Sequence, residues 1–364
     1  MTTDEGAVLI TGATGFVGME VLARYLERGT RPVVALVRAS SDTAARRRLA
    51  DVLANLFGAR AGRYAGRVAA LRAELTAPRL GLSDRDYGSV LERVTTIVHS
   101  AASVSFSLPL AEAREINVKG TGRLLELAEA APARGGLERF AHISTAYVAG
   151  THEGRFCESD LDVGQSFRNS YEQSKFEGEQ LVRAQPDLRA TILRPSIVVG
   201  DQRSGWTSAF NVLYWPLRAF ARGLLRSVPA LPSSPVDVVS VDYVADAIYE
   251  LCEGPGGIGD TYHLTAGAHA STIQEIADAA SRYFGKPVPT VTAPGTAAGH
   301  DPGNAYFPYF SVRTVFDDAH TRARLEPAGL SVAPLGDYLE RLLDFATRTR
   351  WGKRPIGRAE ALAH

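Results

Sequence analysis

The sequence predicts an α/β fold, a doubly wound parallel sheet with a smaller C-terminal α+β lobe, on three observations. Six short runs rich in β-branched residues recur through the first two hundred positions, helical patterns separate them, and a glycine-rich turn joins the first run to the first helix. The runs are AVLIT (7–11), PVVALV (32–37), RVAAL (67–71), TTIVHS (95–100), RFAHIS (139–144) and RATILR (189–194). Each is continuous rather than alternating in polarity, as expected of strands whose two faces are both covered by helices. The intervening stretches, such as GMEVLARYLERG (18–29) and LLELAEAAPARGG (124–136), carry helical spacing, the second stopping at Gly135 and Gly136. Strand, helix, strand repeated in this way is the Rossmann arrangement.

After Gly200 the rhythm changes. An aromatic- and arginine-rich stretch (206–227) meets the turn VPALPSSP, and VDVVSVDYVADAIYELC then returns to a strand and a helix. A Gly/Pro/Ala-rich loop follows at 294–304. The expected division is a nucleotide-binding domain over 1–200, rejoined by 235–265, and a substrate lobe from 201–234 and 266–364.

Composition narrows the class of function. The chain of 364 residues is 45% hydrophobic and 22% charged, ordinary for a globular protein. Forty basic residues balance forty acidic ones, so bulk charge points to neither nucleic acid nor a membrane surface. Two cysteines build no disulfide framework, and eight scattered histidines show no metal-ligand spacing. The acidic start MTTDEG does not read as a signal peptide, and no apolar run reaches the roughly 18 residues of a membrane span. A cytoplasmic enzyme is the expectation; oligomeric state is left open.

Thr11-Gly12-Ala13-Thr14-Gly15-Phe16-Val17-Gly18 links the first strand to its helix. A dinucleotide pyrophosphate needs close backbone approach and a helix N-terminus, which glycines at 12, 15 and 18 supply. Thr11, Thr14, Phe16 and Val17 belong to the same turn. NAD-specific folds place an acid at the end of the second strand; here stands Val37-Arg38-Ala39-Ser40-Ser41. Arg38, supported by Arg48, therefore points to NADPH, because a guanidinium grips a 2′-phosphate through charge and several donors. Ser100, Ala101, Ala102, Pro195 and Ile197 complete the expected cofactor contacts.

Tyr171 and Lys175, in Tyr171-Glu172-Gln173-Ser174-Lys175, share a helix face. A neighbouring ammonium favours phenolate and is expected to lower the tyrosine pKa toward neutrality. Thr145, beyond the fifth strand, is placed to hold a substrate carbonyl or oxyanion, with Ser144 as its adjacent competitor. Asn117, inside a helix, is expected to hold a water or backbone group that extends a proton relay to Lys175.

TGATGFVG, NVKGT, STAYV, YxxxK and LRPSIVVG together resemble the extended short-chain dehydrogenase/reductases over at least residues 7–250. In that family the residues matching Thr145, Tyr171 and Lys175 carry catalysis, and Asp242 lies in a recurring motif of structural character. The long second crossover and TTIVHSAASVSFSLPL look like the thioester reductase and fatty acyl-CoA reductase subgroup, which includes reductase domains of carboxylic acid reductases and nonribosomal peptide synthetases. The resemblance implies NADPH-dependent reduction of an acyl thioester, on CoA or on a carrier protein supplied in trans, to an aldehyde or onward to the alcohol. Where the subgroup has Gly-Asp after the third strand, this chain has Ala73-Glu74. A ketoreductase or hydroxysteroid-type dehydrogenase would use the same residues. A sugar-nucleotide epimerase or dehydratase usually retains NAD, against Arg38, and a non-catalytic NADP(H) sensor typically loses the Tyr-Lys pair.

On the substrate side, Ser103, Ser144, Trp206, Phe210, Tyr214 and Arg218 are the candidates. Trp206, Phe210 and Tyr214 recur at spacing four, with Leu213, Leu217 and Leu224 on the neighbouring face. Such a stripe either walls an acyl channel or packs the lobe onto the sheet. Arg218, Arg222 and Arg226 form a second stripe, either a solvated basic face or a contact for the phosphates or acidic helix of a thioester carrier.

Overall fold

A computed structural model describes residues 6–131, 136–210, 212–292 and 307–363. The glycine stop at Gly135 and the loop at 294–304 lie outside the described residues.

Seven parallel strands form the central sheet: β1 (Ala7–Thr11), β2 (Val33–Val37), β3 (Val68–Arg72), β4 (Val94–His99), β5 (Arg139–Ile143), β6 (Thr191–Pro195) and β7 (Thr261–Leu264). Their order is β7-β6-β5-β4-β1-β2-β3, so the winding reverses between β1 and β4. A crevice opens at such a reversal, beyond the strand C-termini. The central strands are apolar throughout because both faces are covered; Val8, Leu9 and Ile10 are wholly buried. On one face, α1 (Phe16–Arg28) packs beside α2 (Asp42–Phe57) and the helix Val241–Glu253.

The helix that begins at Gly120 ends at Ala130, earlier than the glycines suggest, with Ala131 already extended. Pro132 follows, and the residue before proline is pushed out of the helical region.

Shorter pieces carry the rest. Ile197–Val199 pairs with Val238–Ser240, Ser227–Pro229 with Thr290–Thr292, and Gly154–Phe156 with Thr314–Phe316. These surround a second apolar cluster built on Leu217, Phe220, Leu342 and Leu343. The C-terminal turn comes back to the nucleotide-binding half, where Arg358 pairs with Glu20 of α1 at 2.7 Å and its N–H donates to Asn55 of α2. Among the described residues, no helix is long and apolar enough to cross a membrane.

Candidate active site

A cleft of about 730 Å³ runs across the C-terminal ends of the strands. At one end lies the turn after β1. Gly12 adopts φ +74°, and a Cβ there would stand 2.8 Å from the Ala101 nitrogen. A Cβ on Gly18 would stand 2.1 Å from the Gly12 carbonyl oxygen, so only glycine lets α1 sit on the strand. Gly15 caps α1 without a side-chain hydrogen bond, and no acid occupies the first turn. The leading N–H groups of a helix have no partner within it and carry the positive end of its dipole. This cradle of Gly15, Phe16, Val17 and Gly18, open to the cleft, fits the pyrophosphate of a nicotinamide dinucleotide.

Thr11 lies beneath the floor rather than on it. Its hydroxyl is hydrogen-bonded to His99 at 2.8 Å and accepts from the Ala101 N–H, tying β1 to the cleft-lining Ser100-Ala101-Ala102. Arg48 donates to the Arg38 carbonyl and, at 3.1 Å, to the Thr14 hydroxyl. Both guanidinium-bearing residues thus line one end of the cleft. Ala73 and Glu74, from the turn after β3, close the same end.

The middle of the cleft is built by β5, β6 and the helix Ser170–Arg183. Asn169 starts that helix, its side chain accepting from the Glu172 N–H at 3.0 Å. Lys175 is buried and its Nζ donates to the Ile143 carbonyl at 2.7 Å. Burial pushes the ammonium down to about 8, against the opposing pull of the Glu179 carboxylate. The Tyr171 phenol is pushed up by burial to about 12, although a hydrogen bond with Thr145 holds it down and the Glu172 charge raises it. The expected lowering of Tyr171 by Lys175 is therefore corrected. The ammonium is directed to Ile143, and desolvation of the phenolate dominates.

The two adjacent hydroxyls separate cleanly. Ser144 donates to the buried Glu179 at 2.7 Å, a carboxylate also held by Arg194 at 2.6 Å. Thr145 is the hydroxyl that meets Tyr171. Pro195 and Ile197 form the facing wall.

Asn117 lies in a π-helical turn, Glu115–Lys119, a local form found often at functional sites. Its amide accepts from the Ser103 N–H at 2.7 Å and donates to the Ser103 carbonyl and the Ser174 hydroxyl. It thus holds the backbone of the cleft-lining Ser103.

Trp206, Phe210, Tyr214 and Arg218 stay out of the cleft. The helix starts only at Tyr214 and ends at Ala221, so the spacing of four from Trp206 is not a helical face, and Arg226 lies beyond the helix. Trp206 is buried against Phe16 and donates to the Ile356 carbonyl. The Tyr214 hydroxyl accepts from the Gly200 N–H, and Phe210 packs on Tyr214 and Phe345. Leu224, expected to pack, is 75% exposed.

The far end is formed by residues the sequence did not single out. Phe106 stacks on Tyr309 with centroids 5.1 Å apart and lies 5.7 Å from the Tyr171 ring. Tyr147 meets Tyr309 edge-on at 4.9 Å, and Ala209 and Val212 close the wall. Tyr147 sits in the STAYV motif and Phe106 in TTIVHSAASVSFSLPL, the signals that could have flagged them, whereas Tyr309 comes from a segment without a pattern.

Comparison with known proteins shows the family. Residues 10–248 match the family described as male sterility protein, a nicotinamide-dinucleotide-binding family. The nonribosomal peptide synthetase asaC of Aspergillus flavus is 30% identical over 71% of this chain and 26% of its own length. Fatty acyl-CoA reductase 1 of Xenopus laevis is 30% identical over 66% of this chain and 53% of its own. The chain thus spans about a quarter of the first relative and about half of the second. The terminal R domain of the myxalamid PKS-NRPS biosynthetic pathway superposes with a TM-score of 0.82 at 26% identity, covering 98% of this chain and 94% of that one. The chain belongs to the male sterility protein family, the thioester reductase and fatty acyl-CoA reductase branch of the extended short-chain dehydrogenase/reductases, a family of oxidoreductases.

Proposed function

We propose that the protein is an NADPH-dependent reductase of acyl thioesters, carried on CoA or on a carrier protein in trans, and that it releases an aldehyde. The observation that carries this reading is the single cleft. It joins the uncapped start of α1 and the Arg38–Arg48 pair to Thr145, Tyr171 and Lys175, and ends in an apolar aromatic wall.

Arg38 and Arg48 are assigned to the 2′-phosphate, and the turn from Gly12 to Gly18 to the pyrophosphate. Lys175, with Nζ donors beyond the one used on Ile143, holds the nicotinamide ribose. The bound cofactor supplies hydride to the thioester carbon. Thr145 and Tyr171 hydrogen-bond the thioester carbonyl oxygen and stabilise the charge that develops there. With its pKa near 12, Tyr171 remains a protonated phenol at neutral pH, so it acts as a donor rather than a base. Ser103, held by Asn117, lines the approach to the carbonyl. Collapse of the hemithioacetal then frees thiol and aldehyde. The substrate lobe is assigned to 201–234 and 266–364.

The test is NADPH oxidation at 340 nm by purified protein with acyl-CoAs and, separately, simple ketones, with free thiol, aldehyde and alcohol measured. Thioester-dependent oxidation with thiol release supports the reading, and the products tell two- from four-electron reduction. Turnover with ketones alone moves the protein to the ketoreductases. Tight NADPH binding with no turnover of either class makes it a sensor.

A further inference from the structure

We propose that the Phe106–Tyr309 stack sets acyl preference, so that the protein takes acyl groups free of negative charge over the first few carbons from the thioester and rejects those carrying an anion there. The inference rests on the thioester reductase reading above. Phe106 lies within ring contact of Tyr171, and Tyr309 stacks on it at an interplanar angle of 19°. An acyl chain leaving the carbonyl held by Tyr171 therefore meets aromatic faces. The Tyr309 hydroxyl is not available to it, because it accepts from Asn169 at 2.9 Å and bonds Glu172.

Among the described residues, the ionisable groups around this end are already paired. Glu172 is bonded by the Arg168 N–H and guanidinium, and Arg168 in turn lies over the Tyr309 ring. Lys175 is committed to Ile143 and, in the proposed reaction, to the cofactor. Asp237 accepts from the N–H groups of Ala266 and Gly267. Among these residues an anionic acyl substituent would leave water without gaining a counter-ion and would meet the negative faces of the rings, which is costly, whereas an alkyl or aryl group gains area against them.

The test compares matched substrates as CoA thioesters, using the whole chain and saturating NADPH. Pentanoyl is set against glutaryl, and pentanoyl should show kcat/KM higher by about a hundredfold or more. Phe106→Arg, on a half-buried loop position, should bring glutaryl to within about tenfold of pentanoyl while NADPH affinity stays unchanged. Turnover of pentanoyl and glutaryl without discrimination by the wild-type protein overturns the proposal while leaving the reductase reading intact. An unchanged ratio in a folded, NADPH-binding Phe106→Arg protein overturns the role of the stack. Absence of turnover with every thioester overturns the reductase reading, and this proposal with it.

Discussion

Lys175 should be a liability to the fold as well as a tool of the site. Its side chain is 4% exposed, and burial lowers the ammonium from 10.5 to about 8. At about 1.36 kcal/mol for each pKa unit, holding the charge in the cofactor-free protein costs ~3 kcal/mol at pH 7. Lys175→Met removes that charge and keeps most of the apolar stem, while losing the hydrogen bond to Ile143, worth about 1 kcal/mol. The variant, with no cofactor added, should therefore be more stable than the wild type by ~1–2 kcal/mol at pH 7, with reduction of acyl thioesters abolished.

The pH dependence has a definite sign. The folded-state pKa lies below the unfolded one, so between about 8 and 10.5 the unfolded chain binds more protons and wild-type stability rises with pH relative to the variant. Guanidinium unfolding of both proteins at pH 7 and pH 10 measures this, and the variant's advantage should be gone at the higher pH. A variant less stable than wild type at pH 7, or a difference that ignores pH, refutes the reasoning. In turnover the same group should appear as an alkaline limb near pH 8 in kcat/KM for NADPH, because the free protein holds the cofactor's ribose best with Lys175 charged.

Other expectations follow from the same geometry. Arg38→Ala should raise the KM for NADPH at least about tenfold and leave that for NADH nearly unchanged, since only the phosphate contact is lost; equal effects on both cofactors would remove the assignment. Gly18→Ala drives a methyl to 2.1 Å from the Gly12 carbonyl, a backbone atom that cannot swing aside. It should cost about 1–3 kcal/mol or more and abolish NADPH binding measured by fluorescence, and retained affinity would argue that the turn is not the pyrophosphate cradle. Glu179→Gln leaves Arg194, itself wholly buried, without its anion. A loss of about 3–5 kcal/mol in urea unfolding is expected, and a loss below about 1 kcal/mol would mean the pair is not structurally important.

The sheet was legible because its strands are covered on both faces and so read as unbroken apolar runs, with a glycine turn marking where the first helix begins. Tyr171 and Lys175 were legible for a related reason, since a spacing of four on a helix places two side chains together wherever the helix lies. What failed were readings that depend on tertiary context. Trp206, Phe210 and Tyr214 do pack in the interior, as one of their two readings had it, but not as a helical face walling a channel, because the segment is not helical before Tyr214, with Val212 at φ +36°. The acidity of Tyr171 depends on where the Lys175 ammonium points and on how dry the phenol is, neither of which a spacing reveals. Phe106 and Tyr309 are about two hundred positions apart and meet only because the C-terminal part of the chain closes on the loop after β4.

The pair Ser144-Thr145 shows how one dipeptide serves packing and chemistry together. In extended backbone, successive side chains point to opposite sides, and Thr145 keeps an extended conformation after β5 ends. One hydroxyl must then face inward if the other faces the cleft. The inward one is Ser144, which finds Glu179, itself fixed by Arg183 and Arg194. Glu179 lies one helical turn beyond Lys175, and its charge is the favourable one acting on that ammonium. The buried carboxylate thus anchors the strand end that presents Thr145 and also opposes the desolvation of Lys175. The structure beneath the cleft and the charge within it are joined through Glu179.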